Sequence, residues 1–138
     1  FFAAYPSVQP WMDSVLEGAR TTGFVETILG RRRWIREIND GNRVVRERAE
    51  REAVNTPVQG SAADLVKLAM LAFDRVIAEE RLPCRPLLQV HDELILEVPE
   101  TEAARVAARV RACMESAMEL SVPLVVEAGI GRTWGSAH

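Results

Sequence analysis

Lysine is nearly missing from this chain: of its 17 basic residues, Lys67 is the only lysine and the rest are arginine. Cysteine is scarce too. Cys84 and Cys113 have no metal-ligand spacing and read as buried or neutral thiols in a reducing compartment. No apolar run approaches the roughly 18 residues of a membrane span. The opening FFAAYPSVQPWM has neither the basic start nor the apolar stretch of a secretory signal. From these absences neither a membrane-spanning helix nor a cysteine-held metal is expected, and the opening residues carry no signal-peptide pattern. An initiator Met is also lacking and the chain opens in mid-helix style, so a piece of a longer protein is expected. Internal repeats, low-complexity segments and linkers are absent, so the 138 residues read as one structural unit.

What remains is an ordinary globular composition, 48% hydrophobic and 27% charged. The net charge of −3 does not suggest a polyanion partner, but its distribution does. Arg31, Arg32, Arg33, Arg36, Arg43, Arg46, Arg48 and Arg51 face only Glu37, Asp40, Glu47 and Glu50 in the same stretch. A local cationic stripe binds phosphate even on an acidic chain. Because RVVRERAERE alternates in sign, a solvated helix laced with ion pairs fits equally well.

Val8, Trp11, Met12, Val15, Leu16 and Ala19 recur at helical spacing after Pro6, with Gly23 as the stop. FVETIL and RRWI suggest a short hairpin with arginines at its tip. A charged helix from Arg43 to Val54 should be bent or interrupted at Pro57. Helical spacing resumes through Val58, Ala62, Leu65, Ala69, Ala72 and Val76. LLQV and LILEV flank His91-Asp92-Glu93 as a second, tight hairpin. Thr101 should cap a helix bearing Val106, Val110, Cys113, Ala117 and Leu120. LVVEAGI reads as a last strand, and the three tryptophans read as packing residues. The predicted class is α+β: an antiparallel hairpin and a further strand packed against long helices, with a smaller hairpin near the start.

Three groups could carry chemistry. Asp92 and Glu93 are adjacent carboxylates between apolar strands, where unpaired charge is costly unless it lies at a turn or binds something. Such hard oxygen donors suit Mg²⁺, with one direct ligand and one supporting carboxylate expected; a plain surface turn is the alternative. Arg51, Asn55 and Gln59, spaced by four, place hydrogen-bond donors along one helix face. Donors of this kind can test the minor-groove acceptors that every base pair presents. An exposed polar face is the alternative. Gly30-Arg31-Arg32-Arg33 at a hairpin tip favours phosphate contact.

In this order and at these separations, GRRR, RERAEREAVNTPVQGSAADLVKLAM, LLQVHDELILEV and VPLVVEAGIGRTW resemble the end of family A DNA polymerases. The match covers essentially the whole chain. One departure is Arg36, which stands where the family usually has proline. The resemblance implies a C-terminal segment, with about 1–56 in the fingers or their border and about 57–138 in the palm. It implies that Asp92 is a catalytic, metal-binding aspartate with Glu93 beside it, and that His91 lies near the primer terminus. It further implies that Arg51, Asn55 and Gln59 face the minor groove and that Arg33 touches the nucleic-acid backbone. The family's other metal-binding aspartate motif and its nucleotide-binding fingers helix have no counterpart in this sequence. The segment alone is therefore expected to be inactive. The implied cofactor is Mg²⁺, two ions in the intact enzyme. The implied partners are primer–template DNA, dNTP and the remainder of the polymerase, in a bacterial cytoplasm at the nucleoid, with no membrane. An exposed sheet edge could also pair two copies. A non-catalytic nucleic-acid-binding module and a single-subunit RNA polymerase relative remain as alternatives.

Overall fold

The computed structural model describes residues 2–137. Its elements are α1 (Val8–Thr22), β1 (Phe24–Glu26), β2 (Arg32–Trp34), α2 (Arg43–Glu80), β3 (Arg85–Val90), β4 (Glu93–Glu97) and α3 (Ala103–Glu115). Short 3-10 turns lie at Glu100–Glu102 and Trp134–Ser136. The class is α+β, with β1–β2 and β3–β4 forming separate antiparallel hairpins. The chain divides into two compact units, one ending at Asp64 and the other starting at Leu65. The division falls inside α2, where no linker composition marks it; for that reason the sequence reads as a single unit.

The first unit packs α1, β1 and the start of α2 around Ala19, Val25, Ile35, Ile38, Ala49 and Ala53. Gly23 ends α1 in the left-handed conformation (φ 80), and its N–H reaches the Ala19 carbonyl at 2.8 Å. Asn42 starts α2: its side chain accepts from the Val44 N–H at 2.9 Å, satisfying a first-turn donor. No break occurs at Pro57, which lies inside the 38-residue helix. Proline removes one N–H from the ladder, but Ala49 and Ala53, buried in the first unit's core, anchor the preceding turns, and two hydroxyls near the proline bond back to helix carbonyls. Thr56 donates to the Glu52 carbonyl at 2.7 Å, and Ser61 donates to the carbonyl of Pro57 itself.

The second unit gathers Ala69, Phe73, Leu82, Val106, Val110, Cys113 and Met114 around the end of α2 and α3. Leu94, Leu96 and Val98 pack against this core from the second hairpin. Arg81, left-handed at φ 50, closes α2, and the Leu82 N–H bonds back to the Ile77 carbonyl at 3.1 Å. Cys113 is buried and Cys84 half-buried, and burial pushes the Cys84 thiol up.

Several local expectations change. Thr101 lies within the 3-10 turn and makes no cap; α3 starts at Ala103 and ends at Glu115, so Ala117 and Leu120 lie beyond it. Residues 124–130 carry no ladder, although Leu124 and Val126 are half-buried and Val125 is exposed, as in a strand. The Val126 N–H is taken by the Glu115 carboxylate at 3.1 Å, and a strand needs a partner backbone that this segment does not find among the described residues. Trp11, Trp34 and Trp134 lie outside the cores and are exposed, although Trp34 packs edge-on against Phe24 with ring centroids 5.2 Å apart.

Candidate nucleic-acid interface and metal-binding turn

Arginines enter the first hairpin along β2, not only at its tip. Thr27 and Arg31 close the loop, Gly30 takes φ 79 within it, and Arg32 and Arg33 lie on the strand. Arg32 pairs with Glu26 and stacks over Phe24 at 4.4 Å. Arg33 reaches across to α2 and forms an ion pair with Glu52. Arg31 turns the other way along the helix, to Asp64.

A cleft of about 400 Å³ opens between this hairpin and α2, lined by Arg31, Arg33, Glu52, Asn55, Thr56, Gln59 and Gly60. Two of the amides singled out in the sequence thus share a concavity with the arginine expected to meet a phosphate. Arg51 stands apart. It lines a second groove of about 400 Å³ with Met12, Leu16, Glu47, Glu50, Val54 and Asn55. Asn55 borders both hollows, so the stripe runs from the α1 side to the hairpin side. Residues four apart on a helix drift by about 40°, which spreads three of them across two hollows.

Most of the arginine stripe is engaged within the protein. Arg43 pairs with Glu47, and Arg46 donates to the Asp40 carbonyl. The side chains of Arg36, Arg48 and Arg51 make no hydrogen bond or ion pair among the described residues. The ion-paired reading of the charged stretch is therefore partly met: carboxylates engage some of the cations and leave others facing solvent.

The second hairpin pairs Val90 with Glu93, which makes His91 and Asp92 its two-residue turn. His91 adopts φ 54, and its carbonyl accepts from the Gln89 side chain at 2.8 Å. This left-handed residue reverses the chain over the shortest span. The Asp92 carboxylate is exposed and takes part in no hydrogen bond or ion pair among the described residues. Glu93 opens β4. Among the described residues no group of three or more His, Cys, Asp or Glu side chains could hold a metal ion. Asp92 fits as one hard oxygen ligand, and a tightly held Mg²⁺ would need acids beyond these residues.

The sequence model of DNA polymerase family A matches residues 1–136. The chain belongs to DNA polymerase family A. Its relatives in that family include a thermostable DNA polymerase I of Thermus thermophilus, 51% identical over 99% of this chain and 16% of that protein. DNA polymerase I of Mycobacterium leprae is 48% identical over 99% of this chain and 15% of its own length. A solved family A structure, the POL domain of Pol1 from M. smegmatis in complex with DNA primer–template and dNTP, is 46% identical with a TM-score of 0.93. It is matched over 99% of this chain and 24% of its own. This family A chain thus spans about 15% of the length of the curated relatives it matches. No helix among its described residues is long and apolar enough to cross a membrane.

Sequence reasoning missed Glu52 as the partner of Arg33, and Asp64 as the partner of Arg31. One signal was present for Asp64: a lone acid beside Leu65, Val66 and Ala69 on a helix otherwise turning apolar.

Proposed function

We propose that this chain is the C-terminal segment of a DNA-directed DNA polymerase and supplies one half of its nucleotidyl-transfer centre. Residues 1–56 would belong to the fingers or their border and residues 57–138 to the palm. The observation that carries the reading is the Asp92 carboxylate, exposed at the tip of a two-residue turn and without a hydrogen-bond or ion-pair partner among the described residues. It stands there in a chain that matches, at TM-score 0.93, a polymerase domain solved with primer–template and dNTP.

Asp92 would hold one side of a pair of Mg²⁺ ions, with Glu93 supporting it and the other acid coming from elsewhere in the polymerase. When bound, those ions lower the pKa of the primer 3′-hydroxyl and neutralise the triphosphate and the departing pyrophosphate. His91, fixed in the left-handed turn, would stand by the primer terminus. Asn55 and Gln59 would donate to minor-groove acceptors of the terminal pair, with Arg51 continuing that contact one turn earlier. Donors aimed there test the shape of a pair without reading which pair it is. Arg33 would contact the DNA backbone, a phosphate competing with Glu52 for its guanidinium. Since a single carboxylate binds Mg²⁺ weakly, the chain alone would not incorporate nucleotides. A bacterial cytoplasmic, nucleoid-associated setting follows from this reading.

Primer extension by the complete polymerase carrying Asp92→Ala tests it. Turnover should be abolished while primer–template affinity stays near that of the unmodified enzyme. Unimpaired extension would refute the assignment.

A further inference from the structure

We infer that Arg31 and Asp64 are positioning residues whose ion pair clasps the first hairpin to α2 and so sets Arg33 against Asn55 and Gln59. This rests on the minor-groove reading above. The strands β1 and β2 have three residues each, too few to fix their own placement. The loop between them is instead tied to the helix at several points. Arg31 Nε donates to Asp64 Oδ1 at 2.7 Å, and a terminal nitrogen of Arg31 donates to the Gly60 carbonyl at 3.1 Å. The Ile28 N–H donates to Ser61 Oγ at 2.9 Å, and Ser61 in turn bonds to Pro57. The Asp64 side chain is only 10% exposed, so its charge requires compensation and Arg31 supplies part of it.

Gly60 completes the clasp by what it lacks. A Cβ there would stand 2.8 Å from Thr27 Cγ2 and 3.4 Å from an Arg31 nitrogen. The helix therefore meets the Thr27 methyl at a distance that a Cβ at position 60 would make too short. Gln59 immediately precedes that contact, and Arg33 follows Arg31 by two residues along β2. Both line the same cleft. Moving the loop would change the spacing between the amides on the helix and the guanidinium on the strand. Neither Arg31 nor Asp64 needs to touch DNA for this.

The test uses the complete polymerase and compares kcat/KM for extension of matched and mismatched primer termini, alongside thermal unfolding. Asp64→Asn and Gly60→Ala should each lower the matched-to-mismatched ratio by about tenfold, within the hundredfold that a 1 Å misplacement can cost. Adding Thr27→Ser to Gly60→Ala should restore the ratio, because it removes the methyl that the new Cβ meets and keeps the hydroxyl that accepts the Arg31 N–H. A purely structural clasp would shift unfolding and leave the ratio alone. An unchanged ratio in folded Asp64→Asn overturns the inference, as does a loss in Gly60→Ala that Thr27→Ser does not repair. If Asp64→Asn does not fold, the Gly60→Ala pair decides. Gln59→Ala is the control: if it leaves the ratio unchanged, the minor-groove reading falls and this inference with it. If it alone lowers the ratio, only this inference falls.

Discussion

Arg109 on α3 donates twice, at 2.7 and 2.5 Å, to the same oxygen of Glu80, the last residue of α2. This hydrogen-bonded pair is the main cause holding the Glu80 carboxyl below its ordinary value of 4.5; desolvation pushes the other way, and the charges of Arg109 and Arg105 add to the lowering. A carboxyl with a depressed folded pKa stabilises the fold above its unfolded pKa, and that contribution is lost as pH falls through the lower, folded value. The stability difference between the wild type and Glu80→Gln should therefore be flat above about pH 5 and shrink below about pH 4. Urea unfolding across that range measures it. A difference that stays constant down to about pH 3 would be inconsistent with the pairing.

Phe73 is the largest fully buried side chain in the second unit, whereas Leu71, two positions earlier on the same helix, is 59% exposed. Phe73→Ala should cost about 3–5 kcal/mol, from lost transfer energy and the cavity left behind. Leu71→Ala should stay within about 0.5 kcal/mol. Denaturant midpoints compare the two; equal losses would mean that the core is misplaced.

Glu52 and a DNA phosphate would compete for Arg33. Glu52→Gln should therefore tighten primer–template binding by the complete polymerase. Arg33→Ala should weaken it and reduce the slope of log K against log salt by about 1, one counterion's worth. Fluorescence anisotropy at several salt concentrations reads both. Looser binding in Glu52→Gln would show that the carboxylate helps to present Arg33 rather than restraining it.

Much of this was legible in the sequence, for reasons tied to particular residues. Gly23 marks its own helix end because left-handed backbone suits glycine. Val90-His91-Asp92-Glu93 reads as a turn because charge interrupts two apolar runs. What stayed hidden depends on long-range partners. Pro57 predicts a break when considered locally, yet the helix continues through it, with Ala49 and Ala53 of the preceding turns buried in the first unit's core. Residues 124–130 have the alternation of a strand, but a ladder needs a neighbour. The arginine stripe could be sorted into paired and unpaired cations only after Glu26, Glu52 and Asp64 were located in space.

Among the described residues the second hairpin's sheet has two strands, with Leu87 and Leu88 about half exposed on β3. An unpaired strand edge beside exposed apolar side chains invites pairing with a second copy. Sedimentation of the isolated chain should show concentration-dependent association, reduced by a Leu88→Lys substitution. A monomer at every concentration would remove the expectation.

On the proposed reading, the carboxylate at position 92 binds a catalytic divalent ion. Replacing it with a thiol tests this through metal preference, because Mg²⁺ favours hard oxygen while softer ions accept sulfur. Single-nucleotide insertion by the complete polymerase carrying Asp92→Cys should be lost with Mg²⁺ and partly recovered with Mn²⁺, with DNA affinity unchanged. Wild-type insertion rates with Mg²⁺ alone would contradict the account.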